Sequence, residues 1–184
     1  MEENGIEDEY ELYSEFVGKI ASYVLSLGRT PIVWEGFPKK GHERVPKETI
    51  VVAWESHYQM AYELLEEGFR VINASWEPLY IVPSFKQRWN AFDIMKWDVH
   101  HWQHWWPKSD ARLNPFSVPA TDRVLGAILC SWEQTFEQEI NQVMENLAAV
   151  AERTWSVRRT VTDEEYNDMY QSQRMRIAKI IQDR

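Results

Sequence analysis

Apolar residues at Leu12, Phe16, Ile20, Val24 and Leu27 recur with the spacing that puts them on one face of a helix, predicted over 11–27, and Gly28 is placed to stop it. Four short apolar runs bounded by turn residues follow at 30–35, 49–55, 70–77 and 124–133, and each reads as a buried strand. Ser56 can cap a helix that Gly68 ends, a further helix is predicted from Thr135 to Arg153, and Thr162 with Glu165 forms a capping box for a last helix over 162–182. Between 83 and 122 the periodicity is poor. That stretch holds Pro83, Pro107, Pro115 and Pro119 and a dense aromatic run from Trp89 to Trp106, and is read as a long aromatic loop region. No low-complexity linker interrupts the chain, so 1–184 is read as one unit. Apolar strands alternating with helices imply parallel strands joined by crossovers, an α/β architecture.

A quieter repeat lies inside this pattern. All four strand candidates end in the same dipeptide, Trp34-Glu35, Trp54-Glu55, Trp76-Glu77 and Trp132-Glu133. In parallel α/β folds the loops at the C-terminal strand ends build the ligand site, so the repeat places four indoles around one mouth. Two readings stay open. A tryptophan closing a buried run can be core, because large aromatics drive packing, and a neighbouring acid can simply solvate the strand end. Four indoles with carboxylates beside them also suit a saccharide, whose C–H faces stack on rings while its hydroxyls need hydrogen-bond partners.

Composition narrows the partners. The chain has 184 residues, room for one core, and its 20 Lys+Arg against 29 Asp+Glu leave a formal charge of −9. That balance, with no basic run, argues against nucleic acid and anionic membrane surfaces. No apolar run approaches the ~20 residues of a membrane span. The first ten residues carry five acids and no apolar stretch, unlike a secretory signal. The single cysteine, Cys130, excludes an internal disulfide framework and fits a reducing compartment, so a cytoplasmic location is expected. Tryptophan is the unusual count: 10 residues, more than Phe or Tyr.

The stretches Thr30-Pro31-Ile32-Val33-Trp34-Glu35-Gly36-Phe37, Val71-Ile72-Asn73-Ala74-Ser75-Trp76 with Leu79-Tyr80, Leu125-Gly126 through Trp132, and Ala148-Ala149-Val150-Ala151-Glu152-Arg153-Thr154-Trp155 resemble glycoside hydrolase family 20, the β-N-acetylhexosaminidases. The resemblance runs from about Glu11 to Trp155 and corresponds to the second half of that family's catalytic (β/α)8 barrel. It implies a half barrel of four strands with flanking helices. By position, Trp34, Trp54 and Trp132 resemble the indoles that wall the pocket for a terminal N-acetylhexosamine, with Trp76 at the remaining strand end. Tyr80 resembles the tyrosine that bonds the acetamido oxygen, and one indole of the aromatic stretch, Trp105 or Trp106, resembles a further wall. The implied chemistry is substrate-assisted: the 2-acetamido oxygen attacks the anomeric carbon, while an adjacent Asp-Glu pair supplies the general acid/base and orients the acetamide.

This chain departs from the family pattern at three places. Tyr-x-Asp is replaced by Tyr80-Ile81-Val82, and Trp-x-Glu by Trp132-Glu133-Gln134, which puts Gln134 at the hydroxyl-binding position, or Glu133 there if the strand end is shifted. Asp8-Glu9 stands where the catalytic pair is expected, yet neither the family's apolar strand nor its His-x-Gly-x-Asp-Glu context precedes it. Acids at a helix start also serve the macrodipole, so the catalytic residues are left unassigned. A half barrel leaves its outer parallel strands, at Ile32 to Trp34 and Leu125 to Trp132, without neighbours, which predicts self-association or pairing with a separate N-terminal half.

The remaining candidates are weaker. His100 and His104 are four apart and would face one way on a helix, but no matched third ligand accompanies them, so no metal is expected. Cys130 has apolar neighbours and reads as a buried thiol. The seven glycines form no phosphate loop, and no cofactor is expected.

Overall fold

The computed structural model describes residues 6–82, 89–156 and 161–182. Helix α1 (Glu9–Ser26) leads into strand β1 (Ile32–Trp34), and a loop with one 3-10 turn at His42–Arg44 joins β1 to β2 (Ile50–Ala53). Helix α2 (Ala61–Glu66) crosses back to β3 (Arg70–Asn73). A short kinked turn, α3 (Trp76–Leu79), out of helical geometry at Glu77 and Pro78, then precedes the short strand β4 (Tyr80–Ile81). The stretch read as a long loop carries its own elements: helix α4 (Ala91–Lys96), strand β5 (His101–Trp102), helix α5 (Asp110–Leu113) and strand β6 (Phe116–Ser117). Its residues 83–88 lie outside the described residues. Strands β7 (Val124–Ala127) and β8 (Cys130–Ser131) and the long helices α6 (Phe136–Trp155) and α7 (Asp163–Gln182) complete the chain.

The main sheet has the order β1-β2-β3-β7 with all pairs parallel, so the first and last strands form its edges. Strand alternation sorts the side chains into two layers. Val51, Ala53 and Val71 pack with Leu64, Leu65 and Phe69 under α2, whereas Val52 and Ala74 face Tyr80, Val82 and Cys130 on the other side. A third cluster joins Ile94 and Met95 of α4 to Ala149 and Val150 of α6 and Tyr166 of α7.

The single strand expected over 124–133 is interrupted. Val71 pairs with Val124 and Asn73 with Ala127, so β7 carries one residue more than β3 over that interval, and Gly126 accommodates it at φ 138°. Pairing resumes one level higher, where Tyr80 meets Cys130 and Ile81 meets Ser131. The third strand candidate breaks in the same way: it ends at Asn73, and Trp76 starts α3. Asn73 explains the break, for its buried amide donates to the carbonyls of Val99 and His101 while its Oδ1 accepts from Ser75 N–H. The aromatic stretch is thereby fastened to the end of β3. Trp102 fastens it to β2, burying its ring against Phe116 and donating its indole N–H to the Ala53 carbonyl.

Helix α1 reverses the expected polarity. Leu12, Phe16, Ile20 and Leu27 of its apolar face are exposed, while Glu11, Ser14, Gly18 and Ala21 are buried. Two features hold the polar face inward. A Cβ on Gly18 would lie 2.1 Å from the Arg44 carbonyl oxygen, so only glycine permits that approach. Arg44 also pairs with Glu11 at 2.7 Å and Glu15 at 3.3 Å.

Candidate saccharide site

The C-terminal strand ends converge on a cavity of about 500 Å³ lined by Trp34, Glu35, Trp54, Trp76, Tyr80, Val82, Trp132 and Glu133. Trp34 is the last residue of β1, Trp54 follows β2, Trp132 follows β8, and Trp76 starts the turn after β3. The ends of β1, β2 and β8 and the turn after β3 thus bring all four Trp-Glu indoles together. Their arrangement is a stack with a perpendicular end. Trp76 lies on Tyr80 with centroids 4.1 Å apart at 18°, Tyr80 lies on Trp54 at 6.2 Å and 19°, and Trp34 meets Trp54 edge-on at 5.9 Å. Trp34 and Trp132 stay 45% and 53% exposed, so these two lining rings also face solvent.

The Tyr80 hydroxyl is held well above its ordinary pKa by burial and the adjacent Cys130 thiol, so it is a neutral donor and acceptor at any physiological pH. Cys130 is itself buried, which pushes its thiol up to about 11. Gln134 lies outside the lining. Its Nε2 donates to the Ile81 carbonyl and the Ser131 hydroxyl, closing the turn between β8 and α6. Glu133 stands in its place on the cavity wall, turned there by a φ of 57°.

The four acids of the repeat do not share one environment. Glu55 and Glu77 are partly buried and their carboxyls are pushed up by desolvation. Glu35 is 4% exposed, and burial raises its pKa against the pull of several backbone N–H donors. Nothing in the sequence separates Glu35 from the other three, because the loop that encloses it, 55–58, has no distinctive composition.

The aromatic stretch backs the cavity from outside. Trp105 packs edge-on to Trp76 at 5.3 Å, and Trp106 meets His57 at 5.3 Å. His104 is buried beside Trp76, and its Nδ1 accepts the Trp106 N–H at 2.9 Å. His100 belongs to a turn and pairs with Asp98 at 3.0 Å. The helix that would align the two histidines is replaced by β5.

Asp8 has a structural task. It caps α1 by accepting the Glu11 N–H at 2.9 Å and pairs with Lys40 at 2.9 Å, which holds its carboxyl below the usual range. Glu9 is the first residue of α1.

Comparison with known proteins gives this geometry a context. A beta-hexosaminidase subunit beta from Entamoeba histolytica is 26% identical over 174 residues, covering 92% of this chain and 30% of that protein. Dispersin B superposes with a TM-score of 0.64 at 19% identity, over 81% of this chain and 49% of its own. A beta-N-acetylhexosaminidase from Bacteroides fragilis superposes with a TM-score of 0.66 at 17% identity, over 97% of this chain and 36% of its own. The chain therefore spans half or less of the proteins it resembles, and its parallel sheet with flanking helices is part of their barrel. The sequence model of the glycosyl hydrolase family 20 catalytic domain matches residues 1–158, and the chain belongs to that family.

Proposed function

We propose that this chain supplies the sugar-binding wall of a β-N-acetylhexosaminidase, whose cavity takes the terminal N-acetylglucosamine or N-acetylgalactosamine of a glycan. The observation that carries this reading is the aromatic stack of Trp76, Tyr80 and Trp54, closed at a right angle by Trp34. Flat rings receive the apolar C–H face of a pyranose, and the buried, neutral Tyr80 hydroxyl is suited to an amide oxygen. The cavity volume falls within the roughly 300–1,000 Å³ range of small-molecule sites.

The catalytic Asp-Glu pair of the substrate-assisted reaction belongs, on this reading, to a complementary half of the barrel. Two features support it: Asp8 is already engaged as a helix cap and ion pair, and β1 and β7 are the outer strands of the parallel sheet, each paired on one side only among the described residues. The exposed apolar stripes of α1 (Leu12, Phe16, Ile20) and α6 (Phe136, Ile140, Leu147) extend those open faces. Apolar patches of this kind mark interaction surfaces.

A second reading, a module that binds saccharide without hydrolysing it, is favoured by the same engagement of Asp8. The test is to titrate the purified chain with N-acetylglucosamine while following tryptophan fluorescence, and to incubate it with a chromogenic N-acetyl-β-glucosaminide. Quenching without turnover is the expected result for the isolated wall. Turnover abolished by Asp8→Asn would return the catalytic role to this chain, and absence of quenching would refute the saccharide site.

A further inference from the structure

Glu35 presents an unusual coordination. Its Oε2 accepts the N–H groups of Glu55 at 3.1 Å and Ser56 at 2.9 Å, and its Oε1 accepts those of His57 at 3.0 Å and Tyr58 at 3.1 Å. Four consecutive amides on one carboxylate form a backbone nest. Successive N–H groups turn to the same side only where the backbone changes hand, and Ser56 takes a φ of 49° inside this loop. An ionised carboxylate offers about four lone-pair sites, and all four are filled here. Both oxygens of Glu35 are thus engaged by the backbone of the loop.

The same residue also holds the indole that precedes the loop. The main-chain carbonyl of Glu35 accepts the Trp54 indole N–H at 3.1 Å. Backbone and side chain of one residue therefore grip both Trp54 and the four residues that follow it. Two outer contacts continue the connection. Ser56 accepts the Asp110 N–H at 3.0 Å, and the His57 Nδ1 lies 3.1 Å from the Lys108 carbonyl, so the loop joins the cavity wall to the aromatic stretch behind it.

We propose that Glu35 is the positioning residue of the cavity: its buried carboxylate folds the loop over 55–58 and, with its own carbonyl, sets the plane of Trp54. The effect on ligand binding rests on the saccharide reading above, whereas the positioning can be measured without any ligand.

Hydrogen exchange of the backbone amides and the indole N–H groups, followed by NMR in the whole chain, is the measurement. Glu35→Gln keeps the shape but sets an NH2 group against two N–H donors. Exchange at Glu55 to Tyr58 and at the Trp54 indole should accelerate about tenfold or more while β2 and β3 stay protected. Glu35→Asp, which keeps the charge on a shorter stem, should fall between the two, and it serves as the readout if the Gln variant does not fold. Fluorescence titration with N-acetylglucosamine should show a Kd weakened about tenfold in Glu35→Gln. Unchanged exchange at these five N–H groups would overturn the proposal. So would acceleration spread evenly over β2, β3 and the loop, because the carboxylate would then serve the fold at large. Loop-specific acceleration in a chain whose wild type binds no sugar would refute the saccharide reading and leave the positioning role standing.

Discussion

Trp76 and Tyr80 lie face to face with ring centroids 4.1 Å apart and planes 18° from parallel, although one starts a helical turn and the other starts a strand. The contact depends on the interruption after Asn73. In a continuous strand, positions four apart would share a face but lie about 13 Å from each other at roughly 3.3 Å per residue, whereas the irregular turn at Trp76–Leu79, out of helical geometry at Glu77 and Pro78, brings the two rings into contact. Both rings line the cavity.

Replacing Trp76 by Ala should remove a stacking face of about 60 Å² of sugar contact, or about 1.5 kcal/mol at 25 cal/mol per Å², and so weaken N-acetylglucosamine roughly tenfold. Tyr80→Phe keeps the ring and removes one neutral hydrogen bond, worth about 0.5–1.5 kcal/mol, so its loss should be of similar or smaller size. Fluorescence titration of the two variants measures both. Equal affinity in Tyr80→Phe and wild type would mean that the hydroxyl does not touch the ligand.

The four strands of the main sheet were legible because each begins a short apolar run bounded by turn residues, and the sheet order follows from the sequence of parallel crossovers, whereas the ends of β3 and β7 fall short of the Trp-Glu pairs that close their runs. The aromatic stretch was not legible as structure. Its elements α4, β5, α5 and β6 are only two to six residues long and are held by tertiary contacts such as Asn73 to Val99 and Trp102 to Ala53, which leave no periodicity to read. The sequence leaves both Gln134 and Glu133 open for the cavity wall, and Glu133, at a positive φ that the sequence does not announce, is the one that lines it. The outward face of α1 was concealed for a different reason. Its apolar spacing is regular, and the approach of Arg44 to Gly18 together with its ion pairs to Glu11 and Glu15 determines which face is buried.

That approach makes a sharp prediction for α1. Gly18→Ala, which would improve an exposed helix by helix propensity, should instead destabilise the chain by about 1–3 kcal/mol, because the new Cβ meets the Arg44 carbonyl. Phe16→Gln and Ile20→Gln, on the face 61% and 52% exposed, should each stay within about 0.5 kcal/mol of wild type. Urea denaturation of the three variants tests the orientation. A large loss from Phe16→Gln in the isolated chain would show that the apolar face is packed.

Asp8 gives a prediction that separates structure from chemistry. Asp8→Ala removes the acceptor for the Glu11 N–H and the partner of Lys40, so the thermal midpoint should fall while the N-acetylglucosamine Kd stays unchanged. Asp8→Ser, which restores a capping oxygen without charge, should recover much of the midpoint. A Kd that rises in both variants would place the carboxylate at the ligand.

His104 should make stability depend on pH in a defined window. Burial lowers its pKa to about 4 from an ordinary 6.5, its Nδ1 accepts the Trp106 N–H, and its buried Nε2 finds no hydrogen-bond partner among the described residues. The unfolded chain takes up the proton near 6.5 and the folded chain only near 4, so between these values the unfolded state binds more protons. The contribution is complete above pH 6.5, is lost progressively as the pH falls toward 4, and amounts to up to about 3 kcal/mol. The raised carboxyls of Glu35, Glu55 and Glu77 act in the opposite sense, so the comparison must be made against a variant that lacks only the imidazole. His104→Asn is that variant, because its amide oxygen can accept the Trp106 N–H without titrating. Urea midpoints of wild type and His104→Asn should run parallel from pH 8 to 6.5 and then converge or cross as the pH approaches 4, with wild type losing stability faster. Parallel curves throughout would mean that His104 is solvated enough to protonate at its ordinary pKa, and that the aromatic backing of Trp76 is open to water.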